Sequence, residues 1–354
     1  MQDRVWSSLK RKVQHAIAGV PPLEPIDQLL ADPIVIAGLL HAYERFAERV
    51  VSLRAREEAS GHPANPRIKS IGGFQILREL GRGAMGAVYL AQQERQTPVV
   101  IKVPFTEFGA DPKWVEVFFR EFQALSTVRH DNIVRVYRFA KDEEHGVYYY
   151  VAEFVDGATL KELIESKPEL SLTPGEVAAF TLAVMRAIRF LRDRNVSHRD
   201  LKPGNIMFTK GGIVKLIDFG AAKMAGPSSE LSDAGVVMGT FDYLAPEAGK
   251  AKATESAPLG PERDVFAAGV MHYRLLKGRL PNEFGAGARA SVEFARFADS
   301  RSRVLQDLEG LDPLTKELLL RMTERSPERR LVEFDELECR LLQIVREEGR
   351  ANAP

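Results

Sequence analysis

One loop-like run near the middle of the chain concentrates polar chemistry that folding alone does not require: Val196-Ser197-His198-Arg199-Asp200-Leu201-Lys202-Pro203-Gly204-Asn205. Asp200 can accept a proton or orient a hydroxyl. Lys202 can neutralise a transferring phosphoryl group, and Asn205 can offer an amide oxygen to a hard divalent cation. Further on, after an apolar run, Asp218-Phe219-Gly220 puts a second carboxylate at a strand end, a placement that suits magnesium. Two earlier stretches can address phosphate. Gly81-Arg82-Gly83-Ala84-Met85-Gly86-Ala87-Val88 lies between two strand-like runs, where glycines let a hairpin fold over phosphates with backbone N–H donors. A dinucleotide-binding turn would need a helix directly after the glycines, and none is predicted there. Val99-Val100-Ile101-Lys102-Val103 embeds a cation among apolar strand residues. A lysine in that setting is either an edge lysine facing solvent or a phosphate ligand whose rotamer needs a carboxylate. The helical stretch Pro112–Val128 offers Glu116 and Glu121. Glu121 is the better choice, because Phe118, Phe122 and Leu125 flank it at core spacing.

The elements that must hold these residues can be read from periodicity. Short runs rich in β-branched and aromatic residues predict strands at Phe74–Leu80, Ala87–Ala91, Val99–Val103, Ile133–Phe139 and Val147–Phe154. After Gly157 the chain turns mostly helical, with Thr159–Glu165, Pro174–Arg194, Arg263–Lys277 and Pro313–Thr323. A small strand pair, Ile206–Phe208 and Val214–Ile217, interrupts that run. The order is a strand-rich lobe followed by a helix-rich lobe, with a hinge near Glu153–Asp156. Before both lie residues 1–73, which carry none of these motifs. There Asp32 before Pro33 is a helix start, and Ile36, Leu39, Leu40, Tyr43, Phe46 and Val50 recur at helical spacing toward about Glu58. Ser60–Pro66 reads as a linker. This extension either packs on the following domain or presents a partner-binding or self-associating helix.

These motifs, with Gly239-Thr240 and Ala245-Pro246-Glu247 after them, resemble the eukaryotic-like (Hanks-type) serine/threonine protein kinase family over about residues 74–345, with the look of a bacterial member. The resemblance implies an α+β bilobal fold. Its N-lobe (74–155) would be an antiparallel sheet with one key helix, and its C-lobe (156–345) mainly helical, with a short tail at 346–354. It implies ATP and Mg²⁺ as cofactors and proteins with Ser or Thr acceptors as substrates. Residue by residue, Gly81, Arg82, Gly83, Gly86, Val88, Val100 and Met207 would line the nucleotide site. Lys102 would grip the α- and β-phosphates and pair with Glu121. Asp200 would be the catalytic base, or at least orient the substrate hydroxyl, Lys202 would contact the γ-phosphate, and Asn205 and Asp218 would hold Mg²⁺. Glu153 and Val155 would give backbone hydrogen bonds to adenine. Glu247 would pair with Arg330, and Asp264 would brace the catalytic loop. Two positions depart from the common pattern. Val100 replaces an alanine, and Ala152 stands where a bulkier gatekeeper is usual. Ser228, Ser229 and Ser232 are candidate autophosphorylation sites, since a phosphate on that loop could pair with Arg199, with Ser232 the first choice, while Thr240 would shape the substrate pocket. A pseudokinase scaffold is the alternative, disfavoured by the presence of Lys102, Asp200 and Asp218. A small-molecule kinase is disfavoured by the Gly-Thr and Ala-Pro-Glu segment.

Composition agrees with this class. The 354 residues are 45% hydrophobic and 28% charged, which is globular rather than disordered. Lys plus Arg and Asp plus Glu balance at 49 each, which argues against a bulk nucleic-acid binder. The lone Cys339 forbids an intrachain disulfide and reads as a small buried thiol. Arg4, Lys10, Arg11 and Lys12 beside Val5, Trp6, Leu9 and Val13 suggest a short amphipathic helix. No apolar run reaches spanning length and the N-terminus lacks a signal-peptide pattern, so the expectation is a cytoplasmic chain without a membrane span.

Overall fold

A computed structural model describes residues 23–59, 68–82, 86–94, 96–104, 115–116, 119, 122–123, 125–166, 172–218, 241–249, 260–281 and 308–352. The chain forms two compact units. One gathers the described residues among 46–166 and 190–237, the other those among 1–45, 167–189 and 238–354.

Two helices precede the first strand, α1 (Ile26–Ala31) and α2 (Pro33–Ala59). The start of α2 is the one its sequence specifies. Asp32 Oδ1 accepts the Ile34 N–H at 2.9 Å, and Pro33 takes the first helical position, where a missing N–H costs nothing.

In the first unit, β1 (Ser70–Ile71), β2 (Phe74–Arg82), β3 (Gly86–Gln92), β4 (Val99–Pro104), β5 (Val136–Asp142) and β6 (Val147–Glu153) form a six-stranded sheet in the order β1-β2-β3-β4-β6-β5. Every pairing is antiparallel. Side chains alternate across a strand. On β4, Ile101 and Val103 are buried in a core with Ile71, Ala91 and Tyr149, so Lys102 between them points to the opposite face. That alternation accounts for a lysine in an apolar run. Gly86 is required by contact: a Cβ there would lie 2.1 Å from the Val103 carbonyl oxygen.

A second, three-stranded sheet joins β7 (Gly157–Thr159), β8 (Ile206–Thr209) and β9 (Val214–Leu216) in that order. Helix α3 (Leu160–Ser166) follows β7. It is opened by a reciprocal cap in which Thr159 Oγ1 accepts the Glu162 N–H at 3.1 Å and Glu162 Oε2 accepts the Thr159 N–H at 2.6 Å.

The second unit is helical, with most of α4 (Pro174–Arg192), then α5 (Glu262–Lys277), α6 (Pro313–Met322) and α7 (Phe334–Ala351). Gly278 ends α5 in the left-handed region (φ 69°), its N–H bonded to Arg274 O. Asp312 caps α6, accepting the Thr315 N–H at 2.9 Å. Helix α7 buries Leu337, Leu341, Leu342 and Val345, and α1 packs on it. Arg346 grips Glu24 and holds its carboxyl below the usual range, mainly by hydrogen bonding. Cys339 is buried and its thiol donates to Glu24 O at 3.0 Å. Burial raises its pKa, as suits an inert core thiol.

Two expectations are adjusted. The strand anticipated from Ile133 begins at Val136, because Ile133 and Val134 are instead bridged to Leu216 of β9. The short β7 and β1 were not anticipated. Of the anticipated helix Pro112–Val128 only parts are described. Residues 115–116, 119, 122–123 and 125–126 are helical, with Leu125 and Val128 buried. The linker at 60–66 lies outside the described residues.

Candidate active site

Strand register collects several of the sequence-selected residues on one face of the large sheet. Val88 lies opposite Lys102 across β3 and β4, and Gly81 lies opposite Val88 across β2 and β3. Val100 lies opposite Ala152 and Lys102 opposite Tyr150 across β4 and β6. Since residues two apart on a strand share a face, Val88, Val100, Lys102 and Ala152 line the same surface. The Lys102 Nζ lies 5.6 Å from the Tyr150 ring centroid. Ala152 is 4% exposed.

The loop before β8 supplies the polar centre. Lys202 Nζ donates to Asp200 Oδ2 at 2.6 Å. Asn205 Nδ2 donates to the same oxygen at 3.0 Å and to the Asp200 carbonyl at 2.8 Å. Asn205 is buried, held in the short 3-10 turn Pro203–Asn205 that proline opens. The strand leading to Asp218 is stitched to this loop. Ile217 N–H donates to Asn205 O at 2.9 Å, and the buried His198 ring meets Ile217 O at 3.2 Å. Asn205 Nδ2 also reaches Asp218 O at 3.4 Å. Lys102 Nζ bonds Asp218 Oδ1, so the lysine of the large sheet and the carboxylate after β9 meet directly. Two of these residues sit in the left-handed backbone region despite having side chains, Arg199 (φ 66°) and Asp218 (φ 57°). Such conformations cost on the order of 1–3 kcal/mol each and persist where surrounding structure imposes them, which is common at functional sites.

At the start of the hinge, Glu153 is held from two sides. Its N–H donates to Arg135 O at 2.8 Å, and its carboxylate accepts Arg135 N–H at 3.1 Å and Lys215 Nζ at 2.9 Å. Val155 is buried, and Met207 lies on β8 opposite Thr159 of β7. Arg82 is exposed and occupied by Glu79, at 2.8 and 3.0 Å. Gly83, Glu121, Phe219, Gly220 and Ser228, Ser229, Ser232 and Thr240 lie outside the described residues. In the second unit, Glu247 and Arg330 form the expected pair as a two-pronged contact at 2.8 and 3.0 Å. The Arg330 side chain is fully buried there. Asp264 is buried on α5. Sequence reasoning did not single out Lys215, which reads only as one polar residue in a short strand. It also passed over Thr159 and Glu162, although their spacing is a capping-box signature.

The arrangement is two carboxylates, an amide and two ammonium groups around one small region, with the Asp200 carboxylate held by Lys202 and Asn205 and that of Asp218 by Lys102. It suits binding and turnover of a polyanion.

A family profile described as protein kinase domain matches residues 74–339. The chain belongs to the protein kinase family. Among its relatives, serine/threonine-protein kinase Pkn1 of Myxococcus xanthus is 31% identical over 293 residues, covering 80% of this chain and 40% of that protein. PrkC of Bacillus subtilis is 31% identical over 272 residues, covering 76% of this chain and 40% of that protein. The chain thus spans less than half the length of these relatives. The Mycobacterium tuberculosis PknI kinase domain superposes with a TM-score of 0.55 at 23% identity, over 80% of this chain and 100% of that one. The fold is therefore the protein kinase fold, an N-terminal antiparallel sheet followed by a helical lobe, and α1 and α2 precede the family match. The homologues are bacterial Hanks-type kinases, as the sequence motifs implied.

Proposed function

We propose that the chain is an active serine/threonine protein kinase that transfers the γ-phosphoryl group of ATP to Ser or Thr hydroxyls of proteins. One observation carries the reading: Asp200, Lys202 and Asn205 share hydrogen bonds, and Asp218, stitched to that loop, meets Lys102. Each residue then has a task. Asp200 accepts the proton as the acceptor oxygen bonds to the γ-phosphorus and the bond to ADP breaks. Lys202 is close enough to Asp200 to offset charge on the moving phosphoryl group. Lys102 holds the α- and β-phosphates, with Glu121 as its carboxylate partner. Gly81, Gly83 and Gly86 let the hairpin backbone approach phosphate. Val88, Val100 and Met207 contact adenine, whose edge bonds to the backbone of Glu153 and Val155.

The donor set also fits Mg²⁺. With Nδ2 of Asn205 committed to Asp200, its amide oxygen can join the Asp218 carboxylate as oxygen ligands. Mg²⁺ accepts such sites when they offer one or two carboxylates and leave positions for phosphate and water. When bound, it supplies positive charge to the phosphates. Positioning and charge stabilisation are most of what phosphoryl transfer asks of a protein.

Activity is controlled by autophosphorylation among Ser228, Ser229 and Ser232, with Ser232 preferred, because an added phosphate can pair with Arg199. Replacing Asp218 by Ala or Asp200 by Asn lowers phosphoryl transfer by roughly 10²–10³ or more. Steady-state assays on a generic protein acceptor measure this, and full activity in either variant contradicts the reading.

A further inference from the structure

Helix α2 lies outside the region that the family profile matches, yet its second half is built into the first unit. Phe46 stacks on Phe208 with ring centroids 4.4 Å apart and planes 20° apart, and both are buried. Phe208 belongs to β8, which begins directly after Asn205 and carries Met207. Two turns further along α2, Arg54 aims its guanidinium at the segment that leaves the hinge. Nε and Nη2 both donate to the Gly157 carbonyl, at 2.8 and 2.5 Å, and Nη2 reaches Glu162 Oε2 at 3.3 Å. Glu162 is the residue that caps α3 through Thr159. Gly157 opens β7 and packs tightly on β8: a Cβ there would lie 1.8 Å from Phe208 O.

We propose that Arg54 is a positioning residue of the nucleotide site, acting through the Gly157 carbonyl and Glu162 on the hinge stretch Glu153–Val155. Gly157 is two residues beyond Val155, so the guanidinium fixes the exit of the hinge segment, which follows β6 and whose backbone would address adenine. Two donors on one carbonyl and a shared carboxylate define both place and orientation, which a lysine cannot reproduce. Phe46 anchors the same helix on β8, so the two sides of the adenine segment, Glu153–Val155 and Met207, are referred to one rigid helix. This role presupposes the nucleotide-binding reading above but not catalytic turnover.

The test uses the full-length chain with Arg54→Ala, Arg54→Lys and Glu162→Gln, and reads equilibrium binding of ATP and ADP beside the KM for ATP and kcat. Binding needs no turnover, so an inactive wild type that still binds nucleotide would defeat the kinase reading and leave this test intact. The expected result is about tenfold weaker nucleotide binding for Arg54→Ala, carried in KM rather than kcat. Arg54→Lys should recover only part of it, and Glu162→Gln should give a smaller loss. If Arg54→Ala fails to fold, the lysine and glutamine variants decide alone. Wild-type affinity in the folded variants, or a loss of thermal stability with unchanged affinity well below the melting temperature, overturns the proposal.

Discussion

Ala152 occupies the buried end of β6, facing Val100 on β4 and Val136 on β5. On the proposed nucleotide-binding reading, Ala152 stands at the gatekeeper place, where a methyl group would leave space behind adenine that a larger side chain would fill. Wild-type protein should therefore accept N6-benzyl-ATP as a phosphoryl donor, and Ala152→Met should lower use of the analogue by about 100-fold while sparing ATP. Competition and donor assays with both nucleotides check this, and no use or binding of the analogue by the wild type contradicts it. Single residues of this kind were legible because their chemistry restricts their type. Lys102, Asp200, Asn205 and Asp218 each stand out as charge or amide where an apolar or bland residue would fold as well. Lys215 and Arg54 were not legible. Their partners, Glu153 and the Gly157 carbonyl, are far away in sequence, and nothing local distinguishes them from solvated surface cations.

At the scale of elements, boundaries were legible where local chemistry sets them and lost where pairing does. The start of α2 follows from Asp32 and Pro33, and that of α6 from Asp312 and Pro313. Strand β7 exists because three residues pair with β8, and no period can announce so short a run. Ile133 looked like strand because it is β-branched, but its backbone is committed to β9. The Ala-Pro-Glu turn and the segment before α7 are joined by Glu247 and Arg330. Arg330 also donates to the carbonyls of Glu262 and Glu324 at 2.7 and 2.9 Å. Glu247→Gln leaves a fully buried guanidinium without its counter-charge. Breaking a buried pair in this way costs about 3–5 kcal/mol, and the remaining carbonyl contacts place this one at the low end. A lower midpoint in urea unfolding is the expected outcome, and an unchanged midpoint contradicts it.

For the whole molecule, fold class was legible because strand-rich and helix-rich stretches fall on either side of the hinge in the order the motifs demand. The sequence leaves the N-terminal residues open between packing and partner binding. In the described residues they pack, through Glu24 on α7 and Phe46 on β8. Global stability should carry an acid-sensitive component from His272. Its ring is fully buried on α5, with Nδ1 2.8 Å from Thr181 Oγ1. Burial lowers its pKa to about 3, against a small opposing pull from Asp312. Above pH 6.5 the ring is neutral in folded and unfolded chains alike, and its contribution is complete. Below 6.5 the unfolded chain takes up a proton that the folded one refuses, so stability falls by about 1.4 kcal/mol per pH unit toward pH 3. Thermal midpoints between pH 7 and 5 should drop more steeply for wild type than for His272→Gln, and parallel slopes would exclude this histidine as the source. The most direct test of the central claim is incubation of the purified chain with radiolabelled ATP and Mg²⁺ beside Asp218→Ala, with any label mapped. Label on Ser or Thr of the chain or of an added protein, in the wild type alone, is the predicted result. Nucleotide binding without label on either would contradict an active kinase and leave a protein that works by binding alone.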